Sequence, residues 1–291
     1  DRRLSRGLGD VYKRQVTLIT QDDLDARVVS DLGDILENTV GVSVPRSSQY
    51  GRYYNEGISI RGLGGSRVNI FVDGVRVSDA YAGYGRDVVE VDLLKRVEIL
   101  KGPTSALYGS DGLAGAVSYV TKDASDFTDS GSHYTARYSQ FSDSNQDKYS
   151  FLYAFVGERI DGILQFTDKE SSEMELHSDA LLEPNPVMSE GKSLLGKLTV
   201  DVNEKLDMTL TLDNQEWSSD IIVNTDIGST FYPGLSLLST TSSSEGADEG
   251  SRDRVSLKLN YAAQNNLFDS AILNIFSQST DQQQITNKAV S

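Results

Sequence analysis

Residues 97–110 read VEILKGPTSALYGS and carry three local signals in one short stretch. The apolar run at residues 97–100 predicts a buried strand. Gly102 and Pro103 end that strand, because proline has no amide hydrogen to donate and glycine readily adopts turn conformations. The SALYG that follows predicts a helical turn. A strand, a rigid corner and a helical turn in sequence indicate a compact α+β unit.

The residues on either side complete this unit. Thr20 followed by two aspartates predicts the start of a helix, and leucines and isoleucines at helical spacing continue it to about Asn38. Asp73-Gly74 between two β-branched runs is a strong hairpin signal. The sequence therefore predicts an α+β domain with a small mixed sheet. Its other expected elements are strands at residues 16–20, 41–44, 58–61, 68–72, 75–77 and 116–121, and a short helix within residues 87–96.

After about residue 125 the helical spacing disappears and apolar residues alternate strictly with polar ones. Residues 206–212 (LDMTLTL) and 255–261 (VSLKLNY) show the pattern most clearly, and in residues 149–155 (YSFLYAF) aromatic residues occupy every second position. About seven strands are expected. Such strands have one apolar face and one polar face. Alternation alone fits a soluble antiparallel sheet as well as the wall of a transmembrane barrel with a polar lumen.

The predicted connections favour the barrel. Tight turns at residues 157–162, 203–205 and 263–266 alternate with long polar loops at residues 168–191 and 218–250. Outer-membrane barrels have short turns on one rim and long loops on the other. We therefore expect antiparallel transmembrane strands of an incomplete barrel, with the domain junction near Phe127 on the short-turn, periplasmic side. A soluble adhesion or carbohydrate-binding module stays open as the rival interpretation.

Composition excludes several function classes. The net charge of −16 and a pI near 4.5 argue against nucleic acid as a partner. The chain has no cysteine, and only His133 and His177 could offer imidazole to a metal. No arrangement of serine, histidine and acid suggests catalysis, so an enzyme is not expected. Residues 1–15 (DRRLSRGLGDVYKRQ) look like a non-native, adapter-like leader and are left out of the fold prediction.

Four motifs occur in a characteristic order: Arg61-Gly62-Leu63, then VDGV at residues 72–75, the stretch from Arg96 to residue 110, and GLAGAVSYVTK at residues 112–122. Together they resemble the plug domain of TonB-dependent outer-membrane receptors. The resemblance implies a plug at residues 16–125 and the first part of an outer-membrane β-barrel at residues 126–291. It further implies active uptake across the bacterial outer membrane, with TonB and its inner-membrane energy complex as partners and the outer-membrane lipid as surroundings.

The family resemblance also implies a latch between plug and barrel. In these receptors basic plug residues hold acidic partners on the inner barrel wall, and Arg61 and Lys101 match those basic positions. The acidic partners belong to later barrel strands. Both side chains could equally be ordinary solvated charges at the edge of a sheet.

A narrower resemblance concerns the ligand. Residues 87–101 (DVVEVDLLKRVEILK) are most similar to receptors for haem, haemoglobin, transferrin or lactoferrin. This implies haem or a haem protein as the transported ligand. A ferric siderophore is the alternative, and cobalamin or a glycan is a more distant one. Haem or siderophore would be cargo, and no resident cofactor is expected.

The apical plug loops at residues 46–56 and 79–86 are rich in tyrosine and arginine, which can stack on a planar ligand, and tyrosine can also ligate haem iron. Residues 16–122 contain no histidine. His133 is expected at the barrel rim, and His177, in an acidic loop, is a weak candidate for a metal or haem contact. The expected ligand-binding residues are Tyr50, Arg52, Tyr53, Tyr54, Tyr81, Tyr84 and Arg86.

Overall fold

A computed structural model describes most of the chain after residue 15. The described residues are 16–25, 35–36, 39–44, 58–77, 89–104, 112–142, 145–172, 185–232, 237–262 and 268–291. For residues 25, 66, 225, 231, 232 and 237 the structure describes the backbone but not the side chain. The leader at residues 1–15 lies outside this description.

The N-terminal domain is built on a five-stranded mixed sheet, as the sequence predicts. Its strands lie in the order β1-β6-β7-β4-β5; β4 and β7 are parallel and the other neighbours antiparallel. A separate ribbon joins β2 to β3. The elements are β1 Val16–Ile19, α1 Gln21–Asp25, β2 Val42–Ser43, β3 Ser59–Ile60, β4 Val68–Val72, β5 Val75–Arg76, β6 Leu94–Lys101 and β7 Gly115–Thr121, with 3₁₀ helices at Gly65–Arg67, Val91–Leu93 and Ala124–Asp126.

The core of this domain lies on both faces of the sheet. All five residues of β4 are buried, and Val97, Ile99 and Tyr119 on the neighbouring strands have no exposed surface. Ile35 and Leu36, from the predicted helical stretch, are equally buried. Because both faces are covered, β4 is a nearly continuous apolar run without alternation.

The predicted hairpin at Asp73-Gly74 is confirmed. Asp73 has φ of 51° and Gly74 has φ of 81°, the two positive values that a type I′ turn requires between β4 and β5. Aspartate tolerates this left-handed conformation better than most residues. The turn therefore places one carboxylate at the end of β4.

The predicted short helix at residues 87–96 is wrong in its described part. Only a 3₁₀ turn forms, Val91–Leu93, and β6 already begins at Leu94. Leu94 pairs with Thr121 across β7, and the amide of Lys122 donates to Leu93 O. Pairing of β6 with β7 outweighs the weak helical preference of the apolar residues in this segment.

The second part of the chain is one open antiparallel sheet of eight strands, here called the wall sheet. Neighbouring strands pair in the order β13-β14-β12-β11-β10-β9-β8, and β15 pairs with β14. The strands are β8 Gly131–Phe141, β9 Gln146–Val156, β10 Ile160–Ser171, β11 Val187–Asn203, β12 Leu206–Ile222, β13 Gly228–Tyr232, β14 Leu237–Ala262 and β15 Ser270–Val290, with a 3₁₀ helix at Asn224–Asp226.

The wall sheet has one strand more than the sequence predicts, and its long connections are shorter. β13 forms inside the predicted loop 218–250, and β12 and β14 stay paired as far as Ile222 and Glu245. β10 and β11 likewise extend into the predicted loop 168–191. These extensions lack an apolar face and so carry no alternation signal, whereas pairing with a neighbouring strand satisfies their backbone groups.

The two faces of the wall sheet differ as predicted. The inner face, defined as the one that contacts the N-terminal domain, is polar. The outer face carries rows of exposed large apolar side chains, among them Tyr134, Tyr149, Phe151, Tyr153, Leu164, Phe166, Leu198, Leu210, Leu212, Val255 and Tyr261. Within the described residues, no helix combines the length and apolar character needed to cross a membrane.

Candidate functional site

The N-terminal domain is held on the inner face of the wall sheet by charged side chains. At one position, Glu90 reaches two wall lysines, with 2.8 Å from its Oε2 to Lys169 Nζ and 3.7 Å from its Oε1 to Lys148 Nζ. The same Lys148 lies 3.1 Å from Asp92 Oδ1. Gln165 Nε2 donates to the backbone carbonyl of Asp92 at 2.8 Å. The 3₁₀ turn that replaces the predicted helix thus presents two carboxylates to the wall.

A second position centres on Arg254 of β14, whose side chain is fully buried. Its guanidinium donates to the carbonyl of Val72 at 2.5 Å and lies 3.2 Å from Asp73 Oδ2. Arg254 is also 2.9 Å from Asp213 Oδ2 of β12, and Arg252 approaches the same oxygen at 3.2 Å. The Asp73 hairpin turn is therefore the point at which β4 of the domain meets the wall.

The third position involves Lys197 of β11. Its Nζ lies 3.0 Å from Asp123 Oδ1 and 3.9 Å from Asp73 Oδ2 and donates to the carbonyl of Thr121 at 3.2 Å. Lys95 joins the group from within the N-terminal domain, 3.2 Å from Asp123. Lys197 thereby links the end of β7 to the hairpin turn.

At all three positions the ion pairs between the N-terminal domain and the wall sheet have the same direction of charge. The N-terminal domain supplies carboxylates, from Asp73, Glu90, Asp92 and Asp123, while the wall supplies the cations. Buried ion pairs add little net stability, but removing one partner is costly because the remaining charge stays buried. These contacts therefore define how the two parts fit together more than they add to stability.

The carboxylates of the N-terminal domain are held in their charged form. Burial by itself raises the pKa of Asp73, but the charges of Lys197 and Arg254 and hydrogen bonds from Thr121 outweigh it, so the pKa lies below its ordinary value. For Glu90, burial is likewise outweighed, by Lys169 and Lys148, and the pKa is lowered. The pKa of Asp123 is lowered in the same way by Lys197 and Lys95.

Acid is therefore expected to loosen the domain from the wall. A carboxylate whose pKa is lowered in the folded state stabilises that state above its ordinary pKa, and this contribution is lost as the pH falls through the lowered pKa. Attachment should be constant from neutral pH to about pH 5 and weaken progressively below about pH 4. Protease accessibility of the N-terminal domain in the complete protein, followed between pH 7 and pH 3 with an acid-stable protease, measures it. Release already between pH 7 and pH 5 would contradict these carboxylates as the cause.

The predicted latch residues lie elsewhere. Arg61 occupies a second tight turn with φ of 53°, and its side chain is exposed. Lys101 Nζ donates to the backbone carbonyl of Val40 at 2.7 Å. Since the acidic partners were expected on later barrel strands, the latch stays a prediction.

The predicted ligand-binding residues Tyr50, Arg52, Tyr53, Tyr54, Tyr81, Tyr84 and Arg86 lie outside the described residues, as does His177. His133 is at the start of β8, where its ring stacks on Phe127 at 5.6 Å between centroids and its Nε2 lies 2.9 Å from Thr135 Oγ1. Among the described residues, no group of three or more His, Asp or Glu side chains is placed to hold a metal ion.

The wall cations were missed by sequence reasoning. A signal exists in the run RDRVSLKLN at residues 252–260, where Arg252 and Arg254 occupy the polar face of an alternating strand. Sequence alone assigns such residues equally well to solvent. Only the register, which places Arg254 opposite Asp213, shows that they are buried against the other domain.

Comparison with known proteins identifies this architecture. The family model for the TonB-dependent receptor plug domain matches residues 12–116. This chain belongs to the TonB-dependent receptors. Its N-terminal domain is their plug, and the wall sheet consists of antiparallel strands of their barrel.

Curated relatives of the chain include receptors and transporters for different ligands. The chain is 35% identical to the vitamin B12 transporter BtuB of Vibrio vulnificus over 41% of its own length and 19% of that protein. It is 30% identical to the hemin receptor of Yersinia enterocolitica over 68% of its length and 29% of that receptor. It is 27% identical to hemoglobin-binding protein A of Haemophilus influenzae, over 70% and 22% respectively. The chain thus spans less than a third of each relative.

Solved structures show the same fold. The ferric preacinetobactin receptor BauA of Acinetobacter baumannii superposes with a TM-score of 0.57 at 14% identity, covering 94% of this chain and 47% of that one. The siderophore receptor PirA of the same organism gives 0.55 at 18% identity, covering 93% and 45%. At these identities the likeness concerns the fold alone.

Proposed function

We propose that this chain is part of a TonB-dependent transporter that takes up an iron-containing ligand, haem or a haem protein, across the bacterial outer membrane. The observation that carries the proposal is a plug domain seated through buried ion pairs on the polar face of a sheet whose other face is apolar. A plug inside a barrel has to be displaced for passage. TonB and its inner-membrane energy complex are the proposed source of the work.

The apolar outer face supports placement in the outer membrane. Leu198, Leu210 and Leu257 are register neighbours on β11, β12 and β14 and form one apolar row, which would contact lipid chains. The short turn at residues 204–205 lies at one end of these strands. In the proposed orientation this end and the junction near Phe127 are periplasmic, and the opposite ends of the strands are extracellular.

Two sequence resemblances support haem as the proposed ligand. The sequence at residues 87–101 resembles haem-type receptors, and the curated relatives that cover most of this chain include a hemin receptor and a hemoglobin-binding protein. The tyrosines of the apical loops, such as Tyr53 and Tyr81, are the proposed ligand-facing groups. Haem would be cargo and not a resident cofactor, and no catalytic role is proposed.

Growth on defined iron sources tests the ligand. A strain that lacks its own haem and siderophore receptors and expresses the complete protein should grow with haem as sole iron source, provided that TonB is present. The same strain without TonB is the control. Growth on a ferric siderophore but not on haem would reject haem and support the alternative ligand.

A different nutrient is the second candidate, favoured by the match to a vitamin B12 transporter. Cobalamin-dependent growth of the same strain distinguishes it. The soluble adhesion module is rejected if the complete protein fractionates with outer membranes.

A further inference from the structure

We propose that five cations on the inner face of the wall sheet, largely buried except for the partly exposed Lys169, form a binding track for an anionic ligand, which takes the place of the plug carboxylates when the plug moves. This inference rests on the proposed function, because it requires that ligand passes along this wall. The five residues are Lys148, Lys169, Lys197, Arg252 and Arg254.

The strand register places these cations at consecutive inward positions. A row is the set of residues that lie opposite one another on neighbouring strands, and each row is named after its residue on β12. Lys148 and Lys169 lie opposite each other in the row of Trp217. Arg252, Arg254 and Lys197 lie in the rows of residues 215, 213 and 211. Each row is two residues from the next. At ~3.4 Å per residue, the cations span about 20 Å along the strand direction.

The inner face at these four rows is strongly cationic. Among the described residues there, Asp213 is the only acid, and Arg137 of β8 adds a sixth cation. This contrasts with the net charge of −16 of the whole chain. The plug supplies most of the counter-charge of this band, through Asp73, Glu90, Asp92 and Asp123.

Displacement of the plug would leave this band without its counter-charges. The cations would then face the lumen with a net positive charge, and a cleft lined by charges of one sign attracts ions of the opposite sign. Arg252 and Arg254 already converge on one carboxylate, that of Asp213, which shows that their spacing suits such a group. The ligand class is an organic anion with carboxylate or similar oxygen groups, to which the propionates of haem belong.

The competing interpretation is that these cations only hold the plug. The two interpretations predict different uptake rates when a cation and its carboxylate partner are replaced together. The variant E90Q/D92N/K148Q/K169Q, made in the complete receptor, removes two cations of the track and their carboxylates together, so no buried charge is left unpaired. The matched control E90Q/D92N loosens the plug but keeps both lysines.

Haem is the probe, with equilibrium binding to whole cells and the initial rate of uptake measured for each variant. The quadruple variant should bind haem at the cell surface like the wild type but take it up about tenfold more slowly, since a one-sign charged path raises local anion concentration by at least that factor. The control E90Q/D92N, which keeps both lysines, should be slowed clearly less than the quadruple variant. Wild-type uptake by the quadruple variant, or an equal loss in both variants, would overturn the track.

A second measurement is independent of haem and so separates this inference from the proposed function. The complete receptor in a planar bilayer, with its plug loosened by urea, should become less permeable to chloride relative to potassium in the quadruple variant than in the wild type. An unchanged permeability ratio would overturn the track even if haem uptake is confirmed. If the quadruple variant does not assemble, E90Q/K169Q, which keeps the contact between Lys148 and Asp92, carries the same comparison.

Discussion

Replacing Arg254 with alanine is expected to weaken the seating of the plug more than any other single change on the wall sheet. Arg254 is fully buried and bridges Asp73 of the plug and Asp213 of the wall, at 3.2 and 2.9 Å. Its removal leaves buried carboxylates short of a partner and frees the carbonyl of Val72. Losing one member of a buried ionic network costs about 3–5 kcal/mol. The urea concentration at which the plug of the complete receptor becomes accessible to protease measures the loss.

Arg137 provides the matched control. It lies on the same inner face, on β8, but its side chain is exposed, so R137A should shift the midpoint little. If R254A and R137A behaved alike, the plug would be held by other contacts.

Placing an arginine at Leu210 is expected to have the second largest effect, through the outer face. Leu210 lies in the apolar stretch of β12, between the apolar residues Leu198 and Leu257 of the neighbouring strands. A charge on the lipid-facing side of a barrel strand costs about 2–4 kcal/mol near the bilayer midplane and far less near the interfaces. The free energy of folding of the complete receptor into lipid bilayers measures this cost.

Glu216 is the control for this substitution, since it occupies the same face of β12 three outward positions further along and is already exposed and charged. E216R should alter folding little. Equal effects of L210R and E216R would mean that the apolar row does not contact lipid.

Local sequence rules succeed where one residue or one period decides the structure. Asp73-Gly74 is a hairpin turn because few other pairs accept two positive φ values in succession. The alternation at residues 206–212 assigns the outer face because a strand has a period of two. Both assignments depend on neighbours in sequence, and the structure confirms both.

Local sequence rules fail where contacts with residues distant in sequence decide the structure. The segment Val91–Leu93 is a single turn because Leu94 already pairs with β7 as a strand residue. The ends of β12 and β14 are strands because they pair with each other, although neither has an apolar face there. The ligand-binding tyrosines and the latch at Arg61 and Lys101 remain predictions from resemblance.

For this protein, the sequence by itself determined the fold class, the plug motifs and which face of each strand is apolar, because each depends on local conformation or on a period of two. The tertiary structure alone decided that Lys197 and Arg254 are buried against Asp73, more than a hundred residues away. The charge of a residue can be read from sequence, but its burial and its partner depend on strand register and on the docking of the plug, which no local pattern encodes.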